Sequence, residues 1–161
     1  YVPISNDNRL PAIGTPVPMI RENRLYQADW LLRFYDFKVS EIVNQDNPLL
    51  DMDIDPKLGW ALRNLEIFPM DVNTIDYKLL LRVPGIGIQS ARKIYEARKF
   101  GHITWEHLKK IGIAINRTKY FLHTGNHFER RDLQPMQIKQ LILQESGSKY
   151  KPNFSPQIKL F

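Results

Sequence analysis

The sequence predicts an all-α fold, in which an extended proline-rich arm precedes a helical bundle and an irregular tail follows it. Apolar residues recur at helical spacing in several separate segments, whereas no segment alternates convincingly as a strand does. Residues that commonly start and stop helices flank those segments. A chain of 161 residues, of which 43% are hydrophobic, is long enough to bury a core in one domain or two small ones.

Residues 1–20 are interpreted as an extended arm. They contain four prolines and show no helical period, and proline both fixes φ and removes a backbone donor. Because the sequence begins with tyrosine rather than methionine, we expect this arm to be the end of an upstream domain that the chain lacks. Its first five residues, Tyr1–Ser5, are the one candidate strand.

Residues 21–70 are predicted to form a helical docking region. The first helix runs from about Glu22 to Asp36. A second helix starts at Asp55, which suits the N-cap, and Pro56, which suits the first helical position, and Pro69 closes it. The apolar residues on one face of the first helix are Leu25, Ala28, Leu31, Leu32 and Tyr35.

The first helix of this region also has an unusually aromatic and charged surface. Tyr26, Trp30 and Phe34 are spaced to lie along it, and we interpret them as a surface that docks on another domain. Ordinary packing within this chain is the alternative. The ionic residues Arg24, Asp29 and Arg33 are expected to pair along the same helix.

Charge is distributed unevenly along the chain, whose net charge is +6. Residues 1–76 hold seven Lys/Arg and twelve Asp/Glu, whereas residues 77–131 hold twelve Lys/Arg and three Asp/Glu. A basic block after an acidic half indicates a polyanionic partner for the basic block, and a solvated helical surface is the alternative.

The most informative segment is residues 79–95, which reads LLLRVPGIGIQSARKIY. Asn73 or Thr74 should cap a first helix, which Pro84 ends, and the second helix should run from about Ile88 to Lys99. Farther along the chain, residues 116–122 are predicted to form another helix.

Gly85 and Gly87 permit positive φ, and neither has a Cβ that would block an approaching ligand. The side chain of Ile86 should plug the gap between the two helices, and the small Ala91 should let them cross closely. The predicted shared core of this helical hairpin comprises Leu80, Val83, Ile94 and Tyr95.

The turn between these two helices is a candidate phosphate-binding site. The amides of Gly85, Gly87 and Ile88 are expected to face outward at the positive end of the second helix, where backbone donors lack intrahelical partners. Such contacts reach phosphate oxygens rather than base edges, so they position a nucleic acid without reading its sequence. The predicted phosphate-binding residues are Gly85, Ile86, Gly87, Ile88, Gln89, Ser90, Arg92 and Lys93.

The stretch after Thr104 is similar to a degenerate second copy of the hairpin. Leu108, Gly112 and the segment 116–121 follow a comparable order, but the proline is missing and Ala114 stands near the place of a second glycine. Whether this copy contacts the ligand or only packs against the first copy stays open. The predicted secondary basic surface comprises Lys109, Lys110, Arg117 and Lys119.

Residues 79–95 resemble the helix-hairpin-helix family in the order of their apolar positions, in the Pro-Gly-Ile-Gly turn and in the small Ala91. The resemblance implies that residues 71–122 form a tandem helix-hairpin-helix domain that binds DNA through its backbone without sequence specificity. Paired hairpins of this family straddle a duplex minor groove. Residues 123–161 are expected to add a last helix, which Pro135 opens, and the irregular tail.

A wider resemblance covers about residues 1–122. Residues 19–36, the helix that starts at Asp55 and the hairpin are similar, in the same order, to the region after the catalytic barrel of a bacterial radical-SAM family linked to DNA modification or repair. The resemblance implies a parent enzyme with a 4Fe-4S cluster and S-adenosylmethionine, and an association with a uracil-DNA-glycosylase-like protein. This chain has no cysteine and so lacks the family's cluster motif, which leaves the radical-SAM domain as an upstream partner.

No catalytic residue, cofactor or metal site is predicted for this chain alone. Gln89 stands where helix-hairpin-helix glycosylases place a lysine, and Asp71 lies upstream of the hairpin, whereas their catalytic aspartate lies downstream. His123 and His127 are four residues apart, but the residues between them disfavour a helix that would bring them together.

The sequence therefore predicts a DNA-binding module of a repair or modification protein, located in the cytoplasm. No membrane association is expected, because no apolar run approaches the roughly 20 residues that a membrane-spanning helix needs. A protein-protein interaction or dimerisation module that uses the same helical hairpin is the alternative.

Overall fold

The computed structural model describes residues 19–125 and 133–146, and for these the prediction of a mostly helical chain is confirmed. Residues 1–18 of the predicted arm, with the candidate strand at Tyr1–Ser5, and the predicted tail after residue 146 lie outside the described residues. The predicted end of the arm at residue 20 was wrong, because Met19 and Ile20 already belong to the first helix. The chain divides into two compact units, Tyr1–Trp60 and Ala61–Phe161. In the part of the chain that the structure describes, no helix combines the length and apolar character that crossing a membrane requires.

Eight α-helices and one pair of short strands are present in the described residues. The helices are α1 (Met19–Phe34), α2 (Val39–Ile42), α3 (Pro56–Arg63), α4 (Tyr77–Arg82), α5 (Ile88–Ala97), α6 (Trp105–Ile111), α7 (Ile115–Thr118) and α8 (Pro135–Glu145). The strands are β1 (Met70–Asp71) and β2 (Leu122–His123). Short 3-10 turns occur at Leu65–Ile67 and Arg98–Phe100.

The first unit has an apolar core, to which α1, α2 and the start of α3 all contribute. Its buried hydrophobic residues include Leu31, Phe37, Ile42, Ile54, Leu58 and Trp60. The Phe37 and Trp60 rings meet edge to face, with their centroids 5.2 Å apart. The predicted start of α3 is confirmed, because the Asp55 carboxylate accepts the amide of Leu58 at 3.2 Å and Pro56 is the first helical residue.

Only part of the predicted ionic row on α1 forms. Arg33 pairs with Asp29 at 2.9 Å, one helical turn away, as predicted. Arg24 instead turns inward and is only 2% exposed. Its guanidinium donates to Gln27 Oε1 at 2.8 Å and to the carbonyl oxygen of Met52 at 3.1 Å, so it fastens α1 to the loop before α3.

The second unit contains a parallel strand pair that the sequence analysis did not predict. Met70 of β1 lies opposite Leu122 of β2, and Asp71 lies opposite His123. The expectation of no strand beyond Tyr1–Ser5 was therefore wrong, because a two-residue strand has no alternation to detect and arises only where distant segments meet. The pair joins the two ends of the segment that contains both helical hairpins.

The start of α4 also differs from the prediction. Asp76 is the N-cap, and its carboxylate accepts the amide of Lys78 at 3.3 Å, whereas Asn73 and Thr74 were the predicted caps. Asn73 instead makes a long-range contact, because its side-chain oxygen accepts the amide of Ile103 at 2.7 Å. All of these residues favour caps and turns, so composition alone could not choose among them.

Two further helices are shorter than predicted. α5 ends at Ala97 and continues as a 3-10 turn to Phe100, whereas an α-helix to Lys99 was expected. α7 ends at Thr118, although residues 116–122 were predicted to be helical. The residues after Thr118 are drawn into the core, where the Phe121 ring meets that of Phe68 edge to face with centroids 5.1 Å apart.

The last described helix, α8, packs within the second unit through the apolar face that its sequence predicts. Pro135 is its first residue, and the apolar positions Ile138 and Ile142 are buried. Its last residue, Glu145, accepts a hydrogen bond from the Tyr120 hydroxyl at 3.1 Å. Burial and this hydrogen bond raise the pKa of Tyr120.

Candidate phosphate-binding surface

The first hairpin, formed by α4, residues 83–87 and α5, contains the predicted turn. Val83 ends α4 in an extended conformation, with φ −69° and ψ 126°, as expected of a residue before proline. Gly85 adopts a left-handed φ of +88°. Ile86 is buried, as predicted, and so are most of the predicted hairpin core positions.

Tyr95 is the exception among the predicted core positions of the first hairpin. Its side chain is 46% exposed, so the expectation that it belongs to the shared core was wrong. The ring instead meets that of Tyr77 edge to face at a centroid distance of 5.7 Å on the surface of the two helices. An aromatic residue at the end of an apolar helical face can be buried in the core or exposed at the surface, and tertiary packing leaves Tyr95 exposed.

The two glycines of the turn have different roles. Gly87 is the N-cap of α5 with φ −94° and ψ 171°, so it does not adopt the positive φ that glycine permits. Gly85 is required for packing: a Cβ there would clash with the Thr118 side chain and lie 2.9 Å from the carbonyl oxygen of Ala114. Its Cα therefore lies against the second hairpin, formed by α6, residues 112–114 and α7, and not against an approaching ligand.

Four consecutive backbone amides at the start of α5 have no acceptor among the described residues. This amide run belongs to Gly87, Ile88, Gln89 and Ser90. It is bounded on one side by Ile86, whose amide donates to the Val83 carbonyl oxygen at 3.2 Å, and on the other by Ala91, whose amide donates to the Gly87 carbonyl oxygen at 2.8 Å. None of the four residues is fully buried, since Gln89 is exposed and the other three are half-buried.

Polar and basic side chains extend along α5 from the amide run. Gln89, Arg92 and Lys93 are exposed, and Ser90 is half-buried. The first turn of α5 contains no acidic residue, and Glu96, near its end, accepts a hydrogen bond from Lys99 at 2.7 Å. The helix N-terminus, the unbonded donors and the cations all favour a negatively charged group at this place.

In the second hairpin, the turn amides form hydrogen bonds within the protein. Gly112, with φ +86°, ends α6, and the amides of Gly112 and Ile113 bond back to α6. The amide of Ala114 donates to the carbonyl oxygen of Gly85 at 3.3 Å. Within the described residues, Asn116 contributes the one amide at the start of α7 that has no acceptor.

The side chain of Thr118 locks the two hairpins together. It is fully buried, and its hydroxyl oxygen lies 3.0 Å from the carbonyl oxygen of Pro84 and 3.1 Å from that of Ala114. No sequence motif marks Thr118 as a functional residue. The one available signal was its spacing four residues after Ala114, at which a helical threonine can bond back to a backbone carbonyl.

The predicted secondary basic surface is not one continuous set of exposed cations. Lys109 and Lys110 are exposed in the last turn of α6, and Arg117 is half-buried. The Lys119 ammonium lies 2.9 Å from a carboxylate oxygen of Glu145 and 5.0 Å from the centroid of the Tyr120 ring. Lys119 therefore belongs to the contact between the second hairpin and α8.

The first unit presents a separate surface on α1. Tyr26, Trp30 and Phe34 are all exposed along one stripe, and the Trp30 and Phe34 ring centroids are 4.4 Å apart. The Tyr26 hydroxyl donates to Glu22 at 3.1 Å, and this contact raises the pKa of Tyr26. The predicted docking surface is therefore available on the described part of this unit, and its partner stays a prediction.

Lys57 is a buried cation that the sequence analysis did not single out. It lies in the first turn of α3, is 8% exposed, and places its ammonium 4.8 Å from the centroid of the Tyr35 ring. Burial lowers its pKa to about 7, and the carboxylate of Asp55 opposes this effect. No local pattern marks the residue, because its burial depends on a ring more than 20 positions away in sequence.

The described residues assemble no group of three or more His, Asp or Glu side chains that could hold a metal ion. His123 lies in β2, and His127 lies outside the described residues. The Asp71 carboxylate accepts the amide of Asn73 at 2.9 Å, so it shapes the turn before α4. No protein-family model, curated protein or solved structure matches this chain.

Proposed function

We propose that this chain binds the phosphate backbone of DNA through the first hairpin and does not read the base sequence. The observation that carries the proposal is the amide run of residues 87–90, four backbone donors at the start of a ten-residue helix that have no acceptor among the described residues. The resemblance of residues 79–95 to the helix-hairpin-helix family supports the same assignment.

The physical basis of this binding is a match between a fixed set of donors and a phosphate group. A helix N-terminus carries a partial positive charge, and its unbonded amides already point along the helix axis, so little ordering is needed when a phosphate arrives. Arg92 and Lys93 add exposed positive charge on the same helix. Every DNA sequence presents the same phosphates, so this arrangement gives affinity without sequence preference.

We further propose that the module delivers a catalytic domain of the radical-SAM type to DNA. This rests on the wider resemblance of residues 1–122. A cluster of that family requires cysteine thiolates, and the chain contains none, so the residues present do not fit such a cluster. The iron–sulfur chemistry would belong to another domain, and this chain would supply affinity for the substrate.

A salt titration tests the DNA-binding proposal directly. Binding of a fluorescein-labelled 20-base-pair duplex is followed by anisotropy at several NaCl concentrations, with two duplexes of unrelated sequence. We expect equal affinities for both sequences and a logarithmic affinity that falls linearly with log salt, at roughly 0.9 per neutralised phosphate. Affinity for the duplex that does not depend on salt, or no measurable binding at about 50 mM NaCl, would contradict the proposal.

Gly87→Val tests whether the first hairpin is the binding surface. The backbone of Gly87 is extended, so valine can adopt its φ and ψ, and the added side chain should screen the amide run. We expect at least a tenfold loss of affinity for DNA. Circular dichroism and thermal melting verify that the fold is retained.

Gly112→Val is the matched control for this substitution. It adds the same side chain to the turn of the second hairpin, where a Cβ would have no neighbour within 4 Å. Its left-handed φ of +86° makes the change destabilising, so both variants are compared well below their melting temperatures. We expect DNA affinity within about threefold of the parent, and an equal loss in both variants would remove the first hairpin from the binding site.

A protein-protein interaction module is the second candidate function. The exposed stripe of Tyr26, Trp30 and Phe34 favours it, because aromatic residues are enriched at protein interfaces. This reading predicts salt-insensitive self-association or partner binding that Gly87→Val leaves unchanged and Trp30→Ala weakens.

A further inference from the structure

We propose that the end of the first hairpin remote from its turn binds unpaired DNA bases, which stack on two exposed aromatic rings. The rings belong to Tyr95, near the end of α5, and to Phe100, the last residue of the 3-10 turn that follows α5. This inference rests on the proposed function and specifies its substrate class. It requires no contact with the amide run, which lies at the opposite end of α5.

Phe100 is the most exposed of the large apolar side chains in the described residues, since 90% of its surface is open to solvent. Its turn is nevertheless fixed at both ends. At the start of the turn, the Arg98 guanidinium donates to the carbonyl oxygen of Ile75. Beyond its end, the amide of Ile103 donates to the Asn73 side-chain oxygen at 2.7 Å, and the Asn73 side-chain amide donates to the Ile103 carbonyl oxygen at 3.2 Å. The turn therefore needs little ordering when a ligand covers the ring.

Tyr95 supplies a second ring whose orientation is set by its neighbours. Its contact with the Tyr77 ring, edge to face at 5.7 Å, holds the side chain but leaves it 46% exposed. The Lys99 ammonium lies 6.0 Å from the centroid of the Tyr95 ring. Every base has a π face, so stacking on such rings tolerates any sequence. This contact therefore agrees with binding that does not read bases.

The charge around the two rings favours a nucleic acid over a protein partner. Residues 91–100 contain four Lys/Arg and a single Glu. Arg92 and Lys93 are exposed, and neither forms an ion pair within the described residues. Arg92 precedes Tyr95 by three residues, so the two lie on the same side of α5. Protein interfaces are depleted in lysine, whereas sites for single-stranded nucleic acid combine cations with aromatic rings.

Unpaired bases are the part of DNA that fits these rings. In a duplex, each base is covered on both faces by its neighbours, so its π faces are not accessible without unstacking. A single strand, a loop or a frayed end presents its bases to aromatic side chains directly. The two rings should therefore add affinity for single-stranded DNA and none for a fully paired duplex.

The experiment compares two fluorescein-labelled single strands of about 15 nucleotides, one with bases and one that is abasic throughout. The two strands carry the same phosphates, so a difference between them reports on the bases alone. Anisotropy of each strand, and of a fully paired duplex, is measured with the full chain at about 50 mM NaCl. Stacking on both rings predicts that the strand with bases binds at least about tenfold more tightly than the abasic strand.

Phe100→Ala removes the most exposed ring and should leave the fold intact, because so little of the side chain is buried. We expect at least about fivefold weaker binding of the strand with bases, and unchanged binding of the abasic strand and of the duplex. Phe100→Trp keeps an aromatic face and should retain the affinity of the parent. Trp30→Ala is the matched control, because it removes a ring that is 55% exposed from the first unit and should change none of the three affinities.

Equal affinities for the strand with bases and the abasic strand would overturn the stacking inference and leave the proposed function standing, as long as the duplex binds. An equal loss on all three DNAs in Phe100→Ala would also overturn it, because the ring would then not contact bases. If Phe100→Ala keeps its DNA affinity but loses self-association in sedimentation velocity, the ring belongs to a protein contact instead. Failure of every DNA to bind, the duplex included, would overturn the proposed function itself.

Discussion

The two hairpins of the second unit begin from similar sequences and end in different chemical states. In the first hairpin, the four amides of the N-cap and first turn of α5 have no acceptor within the described residues. In the second, the corresponding turn is bonded to the first hairpin, through Ala114 and Thr118. The two hairpins therefore differ in the donors that their turns offer, because the turn amides of the second are largely bonded within the protein and those at the start of α5 are not.

Gly85 has three structural roles in the contact between the two hairpins. Its left-handed φ makes the turn, its lack of a side chain admits the second hairpin, and its carbonyl oxygen accepts the amide of Ala114. Gly87, by contrast, is extended and caps α5. The two glycines of the Pro-Gly-Ile-Gly turn therefore serve different partners: Gly85 serves the protein core, and Gly87 is proposed to serve the ligand.

Folding and DNA binding must be measured separately to test this comparison. Lys57 of the first unit provides a reference, because its titration should change stability and not DNA affinity. This titration also has the largest expected effect on stability. Its folded-state pKa is about 7, below the ordinary value of 10.5. Between these two values the unfolded chain binds more protons than the folded one, so stability should rise as pH rises from about 7 to about 10.5. The rise is at most about 5 kcal/mol, at 1.36 kcal/mol for each unit of pKa difference.

Lys57→Met should abolish that rise and increase stability near pH 7, while leaving DNA affinity unchanged. Urea denaturation of both proteins at pH 6, 8 and 9.5 gives the free energies of unfolding. At each pH, the difference between the free energies of unfolding of the two proteins removes the contribution of all other titrating groups. Parallel pH profiles for parent and variant would show that the amine keeps its ordinary pKa in the folded protein.

Gly85→Ala should have the next largest effect, and Gly112→Ala is its partner in the second hairpin. Both glycines have left-handed φ, which costs alanine about 1 kcal/mol. At Gly85 the new methyl group also meets Thr118 and Ala114, so we expect a total loss of about 2–4 kcal/mol. Urea denaturation measures both, and equal losses would show that the contact between the hairpins is loose.

Substitutions that neutralise exposed cations compare how much each hairpin contributes to DNA affinity. The double variant Arg92→Gln, Lys93→Gln is expected to lose about tenfold in affinity and to lower the salt slope by one to two, at roughly 0.9 per phosphate. The matched variant Lys109→Gln, Lys110→Gln removes the same charge from the second hairpin and should lose no more than about threefold. Anisotropy titrations at three salt concentrations measure both, and equal losses would assign the ligand to both hairpins.

The smallest expected effect concerns Lys119. Its ion pair with Glu145 is partly exposed, and pairs of this kind contribute less than about 1 kcal/mol. Lys119→Met should therefore lower stability slightly and leave DNA affinity within twofold of the parent. A large loss of affinity with intact folding would return this residue to the binding surface.

The first hairpin was largely predictable because its determinants are local. Pro84 excludes the helical conformation for the residue before it, and an apolar pattern of helical period marks both helices. The helix starts at Pro56 and Pro135 were predicted from the same kind of local rule. These features depend on sterics within a few residues, which any chain with this sequence must obey.

The long-range features were not predictable, because they depend on which distant groups meet. The pairing of β1 with β2, the choice of Asp76 over Asn73 as the cap of α4, and the burial of Lys57 all follow from contacts between segments far apart in sequence. Gly85 adopts positive φ and Gly87 does not, for a related reason. A glycine permits that conformation, and only the surrounding backbone requires it.

The sequence by itself determined that a tight, glycine-containing turn would start a basic helix, since proline, glycine and helical periodicity act through short-range sterics. Only the tertiary structure decided which copy of the hairpin keeps its amides free. That choice follows from a buried threonine hydroxyl and a single amide, both directed at carbonyl oxygens about 30 residues earlier in the chain. Hydrogen bonds over such distances form only when packing brings their partners together and excludes water.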